Sequence, residues 1–310
     1  MQTTPSMTAP VHVQVDELVE APSELRRAFR SLFKARWPLL ALIVLGIVGF
    51  FALFGPNIAP KDPNRQSLRT RLTPPVFVAE TPNPDYPLGS DALGRDVLSR
   101  LIYGARVSIS VGLAAVLLGG FIGISLGMIA GYFGGFMDDL IMRIADIQLG
   151  FPFILLAIMV LVVLGQSVAN LVIVLGIGQW VTYARIARGS TIAEREREHI
   201  TASRAMGANH ARILLRGILP NITAPLIVIA SFNVASVILS EATLSFLGLG
   251  VPPTVPTWGG MLAESRDQLL GGSWWLAVFP GLCIVLTVLS LNVLGDWLRD
   301  FLDPRLRGSR

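Results

Sequence analysis

Residues 185–221 read RIARGSTIAEREREHITASRAMGANHARILLRGILPN, with strongly apolar sequence on both sides. Arg185, Arg188, Arg195, Arg197, Arg204, Arg212 and Arg216 all fall in this stretch. A charged helical insert of this kind cannot lie in lipid, where an arginine at a helix centre costs about 2.5–3.5 kcal/mol. It therefore projects into water, and its arginines assign that side to the cytoplasm. A membrane protein that offers a structured basic helix to the cytoplasm offers it to a soluble partner. The stretch predicts an all-α integral membrane protein.

The composition agrees. Of 310 residues, 52% are hydrophobic and 15% are charged, and the mean hydropathy is +0.61. A soluble domain carries about 25% charged residues. The formal charge of +4 comes almost entirely from arginine, since Lys34 and Lys61 are the only lysines. In a membrane protein this excess reports orientation and contact with anionic lipid, not nucleic-acid binding. Cys283 is the lone cysteine, so no internal disulfide forms, and no Cys/His spacing suits a metal.

Six apolar segments, residues 38–55, 107–131, 140–164, 167–184, 222–246 and 274–297, fit a hydrocarbon core that needs about 20 residues per helix. They make a six-span domain over 38–297, with both termini cytoplasmic. Residues 1–22 are polar and aperiodic and are expected to be disordered. Residues 23–37 space Leu25, Phe29, Leu32, Phe33 and Trp37 helically with arginines opposite. That suits an interfacial amphipathic helix, or else a basic flank that orients the first span. A proline-rich outer loop, 56–106, is expected to be extended and irregular. The insert at 185–220 and a tail at 298–310 complete the cytoplasmic side.

Several constellations carry two readings each. Gly119, Gly123, Gly127 and Gly131 recur every four residues, which allows close backbone approach to another helix. The same run contains Gly123-Ile124-Ser125-Leu126-Gly127, the G-x-S-x-G nucleophile pattern. A serine needs a base, and His12, His199 and His210 all lie outside the expected spans, which sets an intramembrane serine protease far behind. Asp138, Asp139, Arg143 and Asp146 open the third span, as an interfacial cap or as an ionic contact with a partner; Asp139 and Arg143 have a pairing spacing. Glu241 lies deep in the fifth span, where ionisable groups are costly. It either lines a pathway or gate, or pins the fold through Ser240, Thr243 or a neighbouring helix. Pro252, Pro253, Pro256 and Trp258-Gly259-Gly260 suggest an outer loop with a short interfacial segment anchored by aromatic rings. An ion-coupled secondary transporter would favour paired carboxylates within spans, and Glu241 stands alone. No G-x-x-x-x-G-K-[ST] loop occurs, so ATP is not bound by that motif.

The insert also carries a resemblance. Arg197-Glu198, Thr201-Ala202-Ser203, Gly207 and Leu219-Pro220 resemble the EAA loop of binding-protein-dependent ABC importer permeases. Thr201 and Ser203 replace the first and third letters of the triplet, a variation usual in the peptide branch. Leu88-Gly89-Ser90-Asp91 with Gly94-Arg95-Asp96, residues 99–106, Ala130-Gly131-Tyr132-Phe133-Gly134-Gly135, residues 245–250 and Leu302-Asp303-Pro304-Arg305-Leu306 resemble the C-type dipeptide/oligopeptide permeases. The resemblance spans about 30–307. It implies a type I ABC importer-like permease fold in a prokaryotic inner membrane, with no catalysis of its own. Glu198, Thr201, Ala202, Ser203, Gly207, Ala208, Leu219 and Pro220 would then form a coupling helix and its frame, docked on one of two cytoplasmic ATPase domains. ATP and Mg would be bound by those partners and no cofactor by this chain. A B-type permease would supply the other half of the pathway, and an extracytoplasmic binding protein would deliver di- or oligopeptides. Relatives of the same architecture take nickel chelates, glutathione or opine-like solutes.

Overall fold

A computed structural model describes residues 36–302. The segments 1–22 and 303–310, and residues 23–35 of the expected interfacial helix, lie outside the described residues. Among the described residues the chain is helical, with a single isolated bridge between Ser90 and Asp96.

The helices are α1 (Arg36–Ile58), α2 (Val97–Phe133), α3 (Gly135–Leu149), α4 (Phe153–Leu164), α5 (Val168–Arg195), α6 (Glu198–Ala205), α7 (His210–Phe246), α8 (Trp258–Leu269) and α9 (Trp275–Leu302). Five of them, α1, α2, α5, α7 and α9, are long and apolar enough to cross a bilayer. The pair α3 and α4 makes a sixth crossing if counted together.

That pair shows a sharp break within the segment expected to span at 140–164. The two axes differ by 87°. Gly150 closes α3, and Pro152 precedes α4 with an extended φ/ψ of −58° and 118°. Proline has no N–H to return to the carbonyl four residues back, and it drives the preceding residue out of helical geometry. Other boundaries move too. α2 starts ten residues before 107, and α9 runs past 297. Residues 185–195 continue α5, so the polar insert narrows to the stretch between α5 and α7.

α2 and α5 form the most extensive helix contact. They run parallel, and α2 glycines meet α5 backbone. A β-carbon on Gly119 would sit 2.5 Å from the Gly176 oxygen, one on Gly123 2.2 Å from that of Trp180, one on Gly127 2.3 Å from that of Ala184, and one on Gly131 2.7 Å from that of Arg188. Real β-carbons do not approach so closely, so these positions hold glycine for contact. α1 and α9 pack on one another and α1 also lies on α2, while α7 touches α2, α5 and α9. The main apolar cluster joins Val111, Leu171, Leu175, Ile200, Ile218, Val237 and Ile238. Outward faces of α1, α4 and α9 remain apolar and exposed, as at Phe50, Leu155 and Leu289. That is the surface a hydrocarbon solvent requires.

The segment from Ala59 to Asp96 is irregular, with a 3-10 turn at Leu68–Thr70, yet it is tied into the bundle. Lys61 N–H bonds Ser99 Oγ at 3.0 Å, Asn64 Nδ2 donates to Thr254 O at 2.8 Å, and Trp275 Nε1 donates to Ser90 O at 3.3 Å. Gly94 has a φ of +72°, and any side chain there would run into Ser67 O. Trp258 is not an interfacial anchor. It is 1% exposed, and its indole N–H donates to Leu101 O at 3.0 Å.

Candidate functional site

At one end of the bundle α6 stands out on a single buried side chain, Ile200, which sits under Gly217 in the main cluster. Glu198 opens α6 and Arg204 closes it, each at the helix end its charge favours. Glu198, Thr201, Ala202, Arg204 and Gly207 are exposed; Ser203 and Ala208 are half-buried. Ser203 Oγ donates to His199 O at 2.8 Å.

The turn out of α6 is a Schellman motif. Ala208 N–H bonds Ser203 O at 3.1 Å and Gly207 N–H bonds Arg204 O at 3.0 Å, with Gly207 at φ +78°. Asn209 then caps α7 by accepting from Arg212 N–H at 2.8 Å. The first turns of α7 include a π segment, Ile213–Ile218, just ahead of Pro220. Pro220 cannot donate to the Arg216 carbonyl, so a widened turn before it accommodates the lost bond. Leu219 is half-buried against the main cluster and Pro220 is exposed.

Ion pairs fasten this end to its neighbours. Glu194, buried at the end of α5, accepts from Arg197 at 3.0 Å and lies 3.5 Å from His199. Arg195 Nη1 donates to Gly131 O at 2.7 Å. Arg188 pairs with Asp138, and Arg185 with Asp146 at 2.6 Å. Asp138 and Asp146 of α3 therefore bind arginines of α5, and no Asp139–Arg143 pair forms.

At the opposite end lies a cluster that sequence reasoning did not assemble. Asp91 accepts from Arg95 Nε and Arg100 Nη1, both at 2.6 Å. Glu264 of α8 receives Arg95 Nη2 at 2.6 Å and Arg100 Nη2 at 3.0 Å. Both arginines are nearly fully buried. They line a cleft of about 270 Å³ with Pro253, Met261 and Asp267. In the sequence, Arg95 and Arg100 look like charges on the wrong side of the membrane. The Gly94-Arg95-Asp96 run was a signal for the segment, but nothing in it pointed to Glu264.

Glu241 lies between these ends, 1% exposed in α7. Ser245 Oγ donates to its Oε1 at 2.8 Å, and Ser108 Oγ of α2 to its Oε2 at 3.4 Å. Ser108 also accepts from Trp258 N–H at 3.4 Å. The carboxylate thus joins α7, α2 and α8 inside this chain. Ser125 sits mid-helix in α2, not on the sharp strand-to-helix turn that exposes a nucleophile. Among the described residues no cluster of His, Cys, Asp and Glu is arranged for a metal.

The structure is thus a bundle of helices long and apolar enough to cross a membrane, with a short polar helix held out from one end. The chain belongs to the family of binding-protein-dependent transport system inner membrane components, whose model matches residues 123–308. The N-terminal TM domain of oligopeptide transport permease C matches residues 23–75. The chain is 43% identical to the di/tripeptide transport system permease protein DppC of Pseudomonas aeruginosa, over 93% of this chain and 94% of that one. It is 42% identical to the dipeptide transport system permease protein DppC of Haemophilus influenzae, covering 94% and 98%. The Escherichia coli K12 protein of that name is 43% identical, covering 95% and 99%. Among solved structures, an inward-facing form of the MetNI methionine ABC transporter superposes with a TM-score of 0.54 at 19% identity, covering 66% of this chain and 96% of that one. That likeness concerns the fold.

Proposed function

We propose that this chain is a permease subunit of an ABC importer for di- or oligopeptides, forming half of a heterodimeric pathway. The observation that carries the reading is α6, a helix exposed along Thr201, Ala202 and Arg204 yet fixed to the bundle through Ile200. Such a helix suits the cleft of a soluble partner. In this reading the α6 end faces the cytoplasm, both termini lie there, and α6 docks on one of two ATPase domains that bind ATP and Mg. Their closure moves α6, and the spans carry the motion to the outer gate. An extracytoplasmic binding protein delivers substrate at the α8 end, and a B-type permease completes the pathway in the prokaryotic inner membrane.

Similarity along nearly the whole chain to permeases named for dipeptide and di/tripeptide transport favours peptides over nickel chelates, glutathione or opine-like solutes. The test is purification from the native membrane in mild detergent, with mass spectrometry of what co-purifies. A second permease, ATPase chains and a binding protein are expected, and the binding protein should retain dipeptides in preference to metal chelates. Repeated recovery of this chain alone would overturn the reading.

A further inference from the structure

α2 is 37 residues long, about 55 Å at 1.5 Å per residue, and each of its ends is fastened to a different helix. At its last turn Tyr132 is buried, and its hydroxyl lies 3.0 Å from His210 Nδ1 at the start of α7. The two rings meet edge-on at 5.6 Å. The Arg204 guanidinium of α6 stands over the same phenol ring, 5.8 Å from its centre. Arg195 of α5 holds the neighbouring Gly131 carbonyl. Groups from α5, α6 and α7 therefore converge on one turn of α2.

At the first turn of α2, Asp96 caps the helix by accepting from Ser99 N–H at 2.8 Å. One turn on, Arg100 grips Glu264 of α8 through two nitrogens, and Trp258 of α8 donates to Leu101 O. Between the two ends, the backbone contact at Gly119, Gly123 and Gly127 holds α2 against α5 without intervening side chains. A packed helix gripped at both ends moves as a body and not by local bending.

We propose that α2 is the transmission rod of the importer, with Tyr132 and Glu264 as the positioning residues at its two ends. The proposal rests on α6 docking an ATPase. A shift of α6 carries the start of α7 with it and drags the last turn of α2 through the Tyr132–His210 hydrogen bond. The first turn then carries α8 with it, because Arg100 holds Glu264 at two points. Neither residue needs to touch substrate or nucleotide.

The experiment uses the full complex in liposomes, with ATPases and binding protein present. Tyr132→Phe, His210→Gln and Glu264→Gln are made singly, and Tyr132→Phe is combined with Glu264→Gln. Uptake is expected to fall about tenfold in each single variant while ATP hydrolysis stays within about twofold, and the double variant to be no worse than the weaker single, because both break one line. Deuterium exchange across α8 should respond to a non-hydrolysable ATP analogue in the wild type and cease to respond in Tyr132→Phe. Normal uptake by Tyr132→Phe, additive losses in the double variant, or loss of assembled complex in all the single variants would overturn the rod and leave two ordinary fold contacts. Wild-type complex without ATPases would overturn the docking of α6 itself. A wild type that assembles and transports beside a Tyr132→Phe that does the same removes only the rod.

Discussion

Gly127 of α2 lies so close to Ala184 of α5 that an added β-carbon would stand 2.3 Å from the Ala184 carbonyl oxygen. Gly123 has the same relation to Trp180 at 2.2 Å. Backbone is the obstacle, and backbone inside two packed helices cannot step aside. Gly127→Leu should force the helices apart and destabilise the folded chain by about 1–3 kcal/mol or more. Gly189 lies on α5 with open space at its β-position, so Gly189→Ala should be neutral or slightly stabilising. Thermal unfolding of both variants in detergent measures the difference, and equal midpoints would contradict the packing assignment.

Asp91 is the buried carboxylate of the four-residue ion cluster, with Arg95 and Arg100 both at 2.6 Å. Removing it leaves two buried guanidinium groups to share Glu264 alone. Asp91→Ala should destabilise by about 3–5 kcal/mol, the usual result of breaking a buried pair from one side. Asp91→Asn keeps the shape and one acceptor and should lose less. The yield of folded protein and its unfolding temperature give the order, and an Asp91→Ala protein as stable as the wild type would refute it.

Glu241 was open to two readings from sequence, a pathway group or a pin. Its bonds to Ser108 and Ser245 inside this chain favour the pin. Glu241→Ala leaves two buried hydroxyls without their acceptor, which costs about 1–3 kcal/mol. Stability should fall while uptake per folded complex stays level. A variant of wild-type stability that transports poorly would instead place Glu241 on the pathway.

Hydropathy alone exposes most of the spans, because lipid tolerates few charges over about 20 residues. It conceals the break at 150–152, since both α3 and α4 are apolar and a window averages across Pro152. The expected glycine face of α2 was legible as a four-residue repeat, but its partner, the α5 backbone from Gly176 to Arg188, leaves no mark in the sequence. Arg95 and Arg100 fall in the expected outer loop, away from the basic insert. They are neutralised by Asp91 close by and by Glu264, 169 and 164 residues away, and no local pattern announces a contact of that range. Trp258 followed the composition of an interfacial anchor, yet its N–H found the Leu101 carbonyl and the ring went inside. The exposed side chains of α6 were the easiest to place, because a basic insert between spans has nowhere to go but water.

Gly207 separates two demands that a single substitution usually confounds. Its φ of +78° belongs to the left-handed region, where a β-carbon costs about 1–2 kcal/mol and asparagine less than most residues. No atom lies within 4 Å of the place a β-carbon would occupy, and Gly207 is exposed, so a side chain there leaves the turn toward open surface. Size at this position therefore bears first on a partner docked over the turn. Gly207→Asn should keep both insertion and uptake. Gly207→Ala should loosen the Schellman turn and lose part of the uptake. Gly207→Trp should insert normally yet lose most ATP-driven uptake and the co-purifying ATPase, because the indole would stand in the docking surface beside Ala202. Uptake measured beside the amount of ATPase recovered with each variant gives the ranking. Full transport by Gly207→Trp would remove the α6 turn from the contact and require the partner to bind elsewhere on this end of the bundle.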